Sequence, residues 1–211
     1  MADAMPRMLR TDAQDNRDRV LDAARQLFSE RGIDVTMRDV ARHAGVGPAT
    51  LYRRFPTKQV LIDAAFADEL RTCSGIVAEG CADPDPWRGF RSVIERITVL
   101  NVQNQGFVDA FMSANPQVDS VAAHRASLLR MLTQLAARAQ RAGGLRADFV
   151  MDDLLLVLMA GRGLASAPTE HRAAAARRFT ALAIDALSAS GTRADLPRAP
   201  RLASAMVHNS R

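Results

Sequence analysis

The stretch from residue 15 to residue 54 constrains the fold more than any other, because helix starts and stops follow one another closely there. Apolar side chains recur three and four positions apart from Asp15 to Arg31, and a glycine follows, which predicts a first helix over Asp15–Arg31. Thr36 and Asp39 are typical of a capping box, in which each side chain binds the other residue's backbone N–H. A second, short helix is therefore predicted from residue 37 onward.

A tight turn joins this second helix to a third. Gly45 ends the second helix after about two turns, and Gly47-Pro48 is typical of a helix cap followed by a proline at the first helical position. The third helix is predicted over Pro48–Arg54, because Pro56 cannot continue it. Two short helices joined by a turn and preceded by a longer one form a helix-turn-helix. The last helix of such a unit fits the major groove of DNA, which is about 12 Å wide.

Helical spacing continues through the rest of the chain, and no stretch predicts a strand. A fourth helix capped by Thr57 is expected to run beyond Val77, and a fifth carries Trp87, after which Gly106 interrupts the next segment. Later helices are expected over Pro116–Arg141, Leu154–Leu164 and Thr169–Ser190. The sequence thus predicts an all-α protein of about nine helices. We expect a flexible N-terminal arm (1–14), a helix-turn-helix domain (15–62), a larger helical domain (63–190) and a disordered tail (191–211).

Composition excludes several classes of protein. With 48% hydrophobic and 24% charged residues, the chain is typical of a folded protein and not of a disordered one. The apolar run Leu154–Gly161 is far shorter than the roughly 20 residues of a membrane helix, and no secretory signal is present, so we expect a cytoplasmic protein without a membrane partner. Cys73 and Cys81 lack metal-ligand spacing and are expected to be ordinary buried thiols. No metal or cofactor is predicted, and the absence of G-x-S-x-G, H-E-x-x-H and Walker motifs argues against an all-helical enzyme.

The net charge of +5 is concentrated at the two ends of the chain, in residues 1–58 and 191–211. A basic segment attached to a nearly neutral body favours a polyanion as partner. Arg7 and Arg10 could enter a minor groove as part of the arm, although a solvated tail is the simpler interpretation.

The third helix carries residue types suited to DNA on one side. Leu51 and Phe55 lie four apart and are expected to face the core. Thr50 can meet a thymine methyl, Tyr52 a sugar or phosphate, and Arg53 a guanine or phosphate. The predicted DNA-binding residues are Thr36, Arg38, Gly47, Pro48, Ala49, Thr50, Tyr52, Arg53, Arg54 and Lys58. An ordinary three-helix packing unit, or one used for protein contacts, is the alternative.

Thr36 and Lys58 stand at the starts of the second and fourth helices, where unpaired backbone N–H groups and the helix dipole favour a phosphate oxygen.

These residues resemble the DNA-binding signature of the tetracycline-repressor (TetR) family of bacterial regulators. The matching positions are Thr36, Val40-Ala41, Ala44-Gly45-Val46, Leu51-Tyr52, Phe55 and Thr57-Lys58 to Leu61. Gly47, Ala49 and Arg54 depart from the usual Ser, Gly and His or Tyr, which affects the identity of the operator more than DNA binding itself. The resemblance covers residues 15–62 and implies that residues 63–190 bind an effector and form a homodimer.

The resemblance also implies a dimer interface formed by the last two helices. Their apolar surface is large for the exposed helices of a monomer. The expected interface residues are Leu154, Leu155, Leu158, Met159, Leu164, Phe179, Leu182, Ala183, Ala186 and Leu187. For the Leu154–Leu164 helix, burial in the core of a single chain is the alternative.

The resemblance also implies that the fourth to seventh predicted helices enclose an effector pocket. The expected lining residues are Trp87, Phe90, Ile94, Phe107, Phe111, Met112, Met131 and Leu135. Asn101, Asn104 and Gln105 are candidate polar anchors, and the alternative for any one of these residues is a place in the core. The few ionisable groups on these faces favour an apolar or aromatic small molecule.

The sequence as a whole predicts a sequence-specific DNA-binding transcriptional regulator, a repressor that a small ligand releases from a palindromic operator in double-stranded DNA. A nonspecific architectural DNA-binding protein is the alternative.

Overall fold

The structure, a computed structural model, describes residues 5–113 and 120–190. These residues form ten α-helices and one short 3₁₀ turn, and the chain divides between Asp68 and Glu69 into two compact units. The helices are α1 (Met5–Arg31), α2 (Met37–His43), α3 (Pro48–Arg54), α4 (Lys58–Ala65), α5 (Ala67–Ala82), α6 (Pro86–Gln103), α7 (Gln105–Ser113), α8 (Ser120–Arg141), α9 (Met151–Arg162) and α10 (Thr169–Leu187), with the 3₁₀ turn at Gly163–Ser166. The predicted all-α fold is confirmed.

The first unit is built around α1, which packs against α2 and α4, while α2 packs against α3. Val20, Leu21, Leu27 and Phe28 of α1 are buried at the helical spacing visible in the sequence. Gly32 ends α1 with φ at +76°, a left-handed conformation that an L side chain rarely adopts. The predicted start at Asp15 is wrong, because α1 begins at Met5 and residues 5–14 of the expected arm are helical. Residues 1–4 of that arm lie outside the described residues.

The fourth predicted helix is divided in two at Phe66. Arg25 of α1 donates from Nε to the carbonyl oxygen of Ala65, 2.7 Å away, at the point where α4 ends. Phe66 is fully buried and lies against Phe28 with ring centroids 5.9 Å apart, so it belongs to the core of the first unit. The unit therefore ends at Asp68, six residues beyond the expected boundary at Ile62.

The second unit is arranged around α6. This helix packs most extensively against α10 and α8 and also contacts α9 and α7. Phe90, Val93 and Ile94 of α6 are almost completely buried. Asp85 caps the helix by accepting from the backbone N–H groups of Trp87 and Arg88 at 3.0 and 3.1 Å.

Other expected boundaries are corrected by one or a few residues. The break before α7 falls at Asn104 and not at Gly106, because the Asn104 Oδ1 accepts from the Phe107 N–H at 3.1 Å and thereby starts the next helix. The α8 helix is described from Ser120, so the expected start at Pro116 lies outside the described residues, as does the tail 191–211. Within the described part of the chain, no helix is both long and apolar enough to cross a membrane.

Candidate DNA-binding surface and effector cavity

The turn between α2 and α3 depends on Gly45. Its φ is +64°, and it lies where the Val46 N–H donates back to the Ala41 carbonyl at 3.0 Å. Gly47 precedes α3 in an extended conformation without a side-chain cap, and Pro48 occupies the first turn, where its missing N–H costs nothing. The short turn fixes α3 at an angle to α2 and so positions its outer side.

The predicted division of α3 into a buried and an exposed side is confirmed. Leu51 and Phe55 are 1% and 3% exposed and pack into the unit. Pro48, Ala49, Thr50, Tyr52, Arg53 and Arg54 are all exposed, and Tyr52 as a whole is 45% exposed. The helix contains no acidic residue. This helix of two turns carries only positive charges on its exposed side and begins with small residues. It can therefore approach the edges of base pairs closely.

The two predicted phosphate contacts at helix starts differ in their surroundings. The Thr36 hydroxyl accepts from the Asp39 N–H at 3.2 Å and donates to the Asp39 carboxylate at 2.6 Å, so it caps α2 and its proton is already used. Lys58 is the first residue of α4, half-buried, directly after the Thr57 hydroxyl that accepts from the Val60 N–H at 3.2 Å. Lys58 and the exposed Arg38 therefore offer cationic groups to a phosphate, whereas the Thr36 side chain caps α2.

The second unit contains a nearly closed cavity of about 50 Å³. We call it the effector cavity after the role that we propose for it; it is lined by Cys73, Ile97, Asn101, Phe107, Val108, Phe111, Met112, Leu128, Leu129, Leu132, Leu154, Leu155, Leu158 and Met159. Cys73 and Asn101 are the polar members of this set, and burial raises the pKa of the Cys73 thiol to about 11, so the thiol is protonated at neutral pH. The interior is therefore apolar and uncharged.

Three of the eight residues expected around a pocket line this cavity, namely Phe107, Phe111 and Met112. Phe90, Ile94 and Leu135 are at most 1% exposed and form the ordinary core, the alternative that the sequence left open. Trp87 stacks on Phe90 with centroids 6.1 Å apart and lines a different cleft, and Met131 does not line the cavity.

Of the three candidate polar anchors, one lines the cavity. Asn101 lines the cavity, whereas Asn104 donates from Nδ2 to Glu69 Oε1 at 2.7 Å, and the side chain of Gln105 lies outside the described residues.

Most of the cavity wall that sequence reasoning missed comes from α8 and α9. The leucines at 128, 129 and 132 have the spacing of one helix face, so the sequence shows that this face is apolar but not that it borders a cavity. Leu154, Leu155, Leu158 and Met159 were expected at a dimer interface, yet they line the cavity of a single chain. Periodicity identifies an apolar face but does not identify what covers it.

The expected interface residues fall into three groups by exposure. Leu154, Leu155 and Leu187 are buried within the single chain, which is the place that the alternative interpretation gives to Leu154 and Leu155. Leu158, Leu164, Phe179 and Ala183 are half-buried. Met159 and Leu182 are 39% and 57% exposed, and Ala186 is exposed as well. Leu156, 42% exposed and not predicted, extends this apolar surface on α9.

No group of three or more His, Cys, Asp or Glu side chains that could hold a metal ion occurs within residues 5–113 and 120–190.

An exposed basic helix held by a tight turn on a three-helix core defines a helix-turn-helix DNA-binding protein. Comparison with known proteins gives the family. Residues 20–65 match the family model described as bacterial regulatory proteins, tetR family, and residues 85–189 match the C-terminal domain described as transcriptional regulator SbtR-like. A TetR transcriptional regulator from Streptomyces coelicolor is 32% identical, over 82% of this chain and 98% of that one, with a TM-score of 0.50. The chain belongs to the TetR family of transcriptional regulators, which are not enzymes, and its helix-turn-helix binds DNA.

Two further relatives show how far the likeness extends. A tetR-family regulatory protein from Rhodococcus RHA1 shares the fold at 17% identity, with a TM-score of 0.66 over 83% of this chain and 98% of that one. The transcriptional regulator UidR of Escherichia coli is 40% identical over 62 residues, which are 29% of this chain and 32% of UidR. The chain thus matches only about a third of the length of that curated relative.

Proposed function

We propose that the protein is a repressor that binds a palindromic operator as a homodimer and leaves it when a small apolar or aromatic ligand occupies the effector cavity. The observation that carries the DNA-binding part is the exposed basic side of α3 beside the buried Leu51 and Phe55. Such a protein acts in the cytoplasm, where its operator lies.

The exposed side of α3 supports a division of roles among its residues. Thr50 and Arg53 meet base edges in the major groove, and Tyr52 contacts the sugar-phosphate backbone. Lys58 and Arg38 bind phosphate oxygens beside the groove. Thr36 contributes indirectly, by capping α2 and so fixing the angle of the turn that precedes α3.

The size of the effector cavity supports a ligand-driven change of conformation. Ligand sites usually enclose about 300–1,000 Å³, so a cavity of about 50 Å³ is too small for such a molecule as it stands. A ligand that enters must push apart the helices that line the cavity, among them α7 and α9, and it therefore favours a different conformer of the second unit. A coupling of about 1–3 kcal/mol between cavity and operator lowers operator affinity about 5- to 150-fold.

Dimerisation supplies the geometry that a palindrome requires. Two helix-turn-helix units read half-sites about 34–36 Å apart, one turn of the duplex, so a conformer with a different separation binds poorly. Among the described residues, the exposed apolar side chains of α9 and α10 offer the surface for a second copy.

The test of this proposal is selection of bound fragments from the source genome, followed by footprinting of the purified protein on the selected fragments. We expect one discrete palindromic footprint, with log K falling by about 0.9 per phosphate contact for each log unit of salt. A footprint that spreads along any DNA without a preferred sequence would contradict the proposal and indicate a nonspecific architectural protein.

A further inference from the structure

A second opening in the C-terminal unit lies outside the effector cavity. This cleft, which we call the α5–α10 cleft, has a volume of about 560 Å³ and is open to solvent. It is lined by Thr72, Ile76, Glu95, Arg96, Val99, Leu100, Arg177, Thr180 and Ala181. These residues come from α5, α6 and α10, and none of them lines the effector cavity. Its volume, unlike that of the cavity, already suits a small organic molecule.

The floor and walls of the cleft are mainly aliphatic. Ile76, Val99, Leu100 and Ala181 provide apolar surface for the body of a ligand. This lining excludes a compact, fully charged ligand, which would lose its hydration there without replacement. The cleft therefore suits a molecule with an apolar chain or ring system.

Thr180, on the wall of the cleft, carries a buried hydroxyl that the described part of the chain leaves without a hydrogen-bond partner. The residue is 2% exposed, and its Oγ1 is buried without a partner in the described part of the chain. Two other helical threonines behave differently: Thr98 and Thr133 each donate from Oγ1 to the carbonyl four residues earlier, at 2.8 Å. A buried hydroxyl left unsatisfied is unfavourable, and a ligand acceptor in the cleft would remove that cost.

The charges around the cleft favour a single negative group on the ligand. Arg96 forms an ion pair with Glu79, and Arg177 forms no ion pair with any residue that the structure describes. Glu95 also lines the cleft and carries a negative charge; it lies at the end where the cleft meets a neighbouring one, which is lined by Trp87 and Arg91. Arg177 is thus the cation available to a ligand, three residues before Thr180 on the same side of α10.

The cleft also stays open in the proposed dimer. On an α-helix, successive residues are about 100° apart, which places Arg177, Thr180 and Ala181 on one side of α10 and Leu182 and Ala186 on the opposite side. A second copy that covers the exposed apolar side therefore leaves the cleft accessible.

We propose that the α5–α10 cleft is a second ligand site, which binds an amphipathic carboxylate with its aliphatic body against Ile76, Val99 and Leu100. The carboxylate pairs with the Arg177 guanidinium and accepts a hydrogen bond from the Thr180 hydroxyl. This site goes beyond the proposed repressor function, because it is separate from the effector cavity and does not depend on operator binding.

The test uses decanoate as the probe and the full-length protein. Trp87 is the single tryptophan of the chain and lines the adjoining cleft, so its fluorescence reports occupancy. We expect saturable binding of decanoate below about 1 mM. Arg177→Ala and Thr180→Val should each weaken binding about tenfold, because each removes one polar contact to the carboxylate. Ala181→Phe, which fills the cleft, should abolish binding, whereas Arg178→Ala, a matched exposed arginine on another side of α10, should change nothing.

Two further readouts separate a ligand site from a structural effect. 1-Decanol, which lacks the charge, should bind at least about tenfold more weakly than decanoate and should not respond to Arg177→Ala. Without decanoate, Thr180→Val should melt at the same temperature as the wild type or higher, because it removes an unsatisfied hydroxyl. Failure of decanoate to bind the wild type, undiminished binding by Ala181→Phe, or a lower melting temperature of Thr180→Val would each overturn the proposal.

Discussion

The exposed residues of α3 and the start of α4 differ in what each contributes to DNA binding. Arg53 carries a planar guanidinium on the outer side of α3, which can form two hydrogen bonds to one guanine. Lys58, at the first position of α4, carries a point charge that can bind phosphate without regard to sequence. The two residues therefore test separate parts of the interface.

Replacement of Arg53 by Ala should cost about 1–3 kcal/mol on the operator and much less on random DNA, because a base contact is lost. Lys58→Ala should weaken binding to both DNAs alike and lower the slope of log K against log salt by about 1. Fluorescence anisotropy on operator and scrambled duplexes measures both effects, and Arg130→Ala, an exposed arginine in the second unit, serves as control. Equal losses on both duplexes for Arg53→Ala would contradict its role in base recognition.

The cap of α2 shows how one carboxylate links local structure to pH. The Thr36 hydroxyl donates to the Asp39 carboxylate and, together with the Thr36 N–H and Arg42, holds the pKa of Asp39 below its usual value. A carboxyl group with a lowered pKa in the folded state stabilises the fold above its ordinary pKa, and this contribution disappears as the pH falls through the lower value.

Asp39→Asn should therefore unfold more readily than the wild type at pH 7, and this difference should shrink as the pH is lowered below the ordinary carboxyl pKa of 3.8. Urea unfolding at a series of pH values measures it. Asp34→Asn, at an exposed carboxylate two residues before Thr36, is the matched control for the loss of one negative charge near α2. A constant difference between Asp39→Asn and the wild type at all pH values would exclude the carboxylate as the cause.

At the scale of helices, the sequence predicted starts and stops wherever the signal is local. The capping box of α2, the glycine turn at Gly45 and the bounds of α3 all depend on residues within one turn of each other. The division at Phe66 could not be predicted, because it depends on Arg25, forty residues earlier in the chain. The break at Asn104 depends in the same way on Glu69, so tertiary contacts override a continuous helical pattern at both positions.

The two candidate sites show the same contrast between local signals, which the sequence reveals, and tertiary contacts, which it does not. The exposed side of α3 could be predicted, since burial of Leu51 and Phe55 fixes which residues face outward. The effector cavity could be predicted only in part, because its wall combines side chains from five helices, α5 to α9. Which apolar face meets which helix is decided by packing across the unit, and periodicity carries no information about that choice.

Close packing of α5 against α6 depends on two glycines. A Cβ on Gly89 would collide with the Gly80 carbonyl oxygen, and one on Gly80 would lie 2.9 Å from the Gly89 carbonyl oxygen. Backbone atoms cannot yield as a flexible side chain does, so the two helices would have to separate. Gly75, also in α5, has nothing within 4 Å of its Cβ position.

Gly89→Ala should lower the free energy of unfolding by about 1–3 kcal/mol through overpacking. Gly75→Ala is the matched substitution on the open side of α5 and should raise the free energy of unfolding by about 0.5–1 kcal/mol, because alanine loses less entropy in a helix. Denaturant unfolding of both variants gives the comparison. Equal stability of the two variants would show that the Gly80–Gly89 contact is not tight.

At the scale of the whole molecule, the second unit leaves several large apolar side chains exposed. Leu156 and Met159 of α9 and Leu182 of α10 are between 39% and 57% exposed, on two helices that pack against each other. Several large apolar side chains on neighbouring helices are typical of a surface that meets another protein. The palindromic operator that we propose requires two copies, and this surface lies on the side of α10 opposite the α5–α10 cleft.

Leu182→Asp should therefore convert the proposed dimer into a monomer, because its interface would have to bury an unpaired carboxylate. Operator affinity should fall with it, since a single helix-turn-helix reads only one half-site. Val150→Asp introduces the same charge at an apolar residue that is 42% exposed, outside the expected interface, and should remain dimeric. Sedimentation velocity and operator binding of the two variants, measured at the same protein concentration, decide the matter. A Leu182→Asp protein that sediments as a dimer would show that the two copies meet elsewhere, whereas a monomer that still folds would place the interface on α9 and α10.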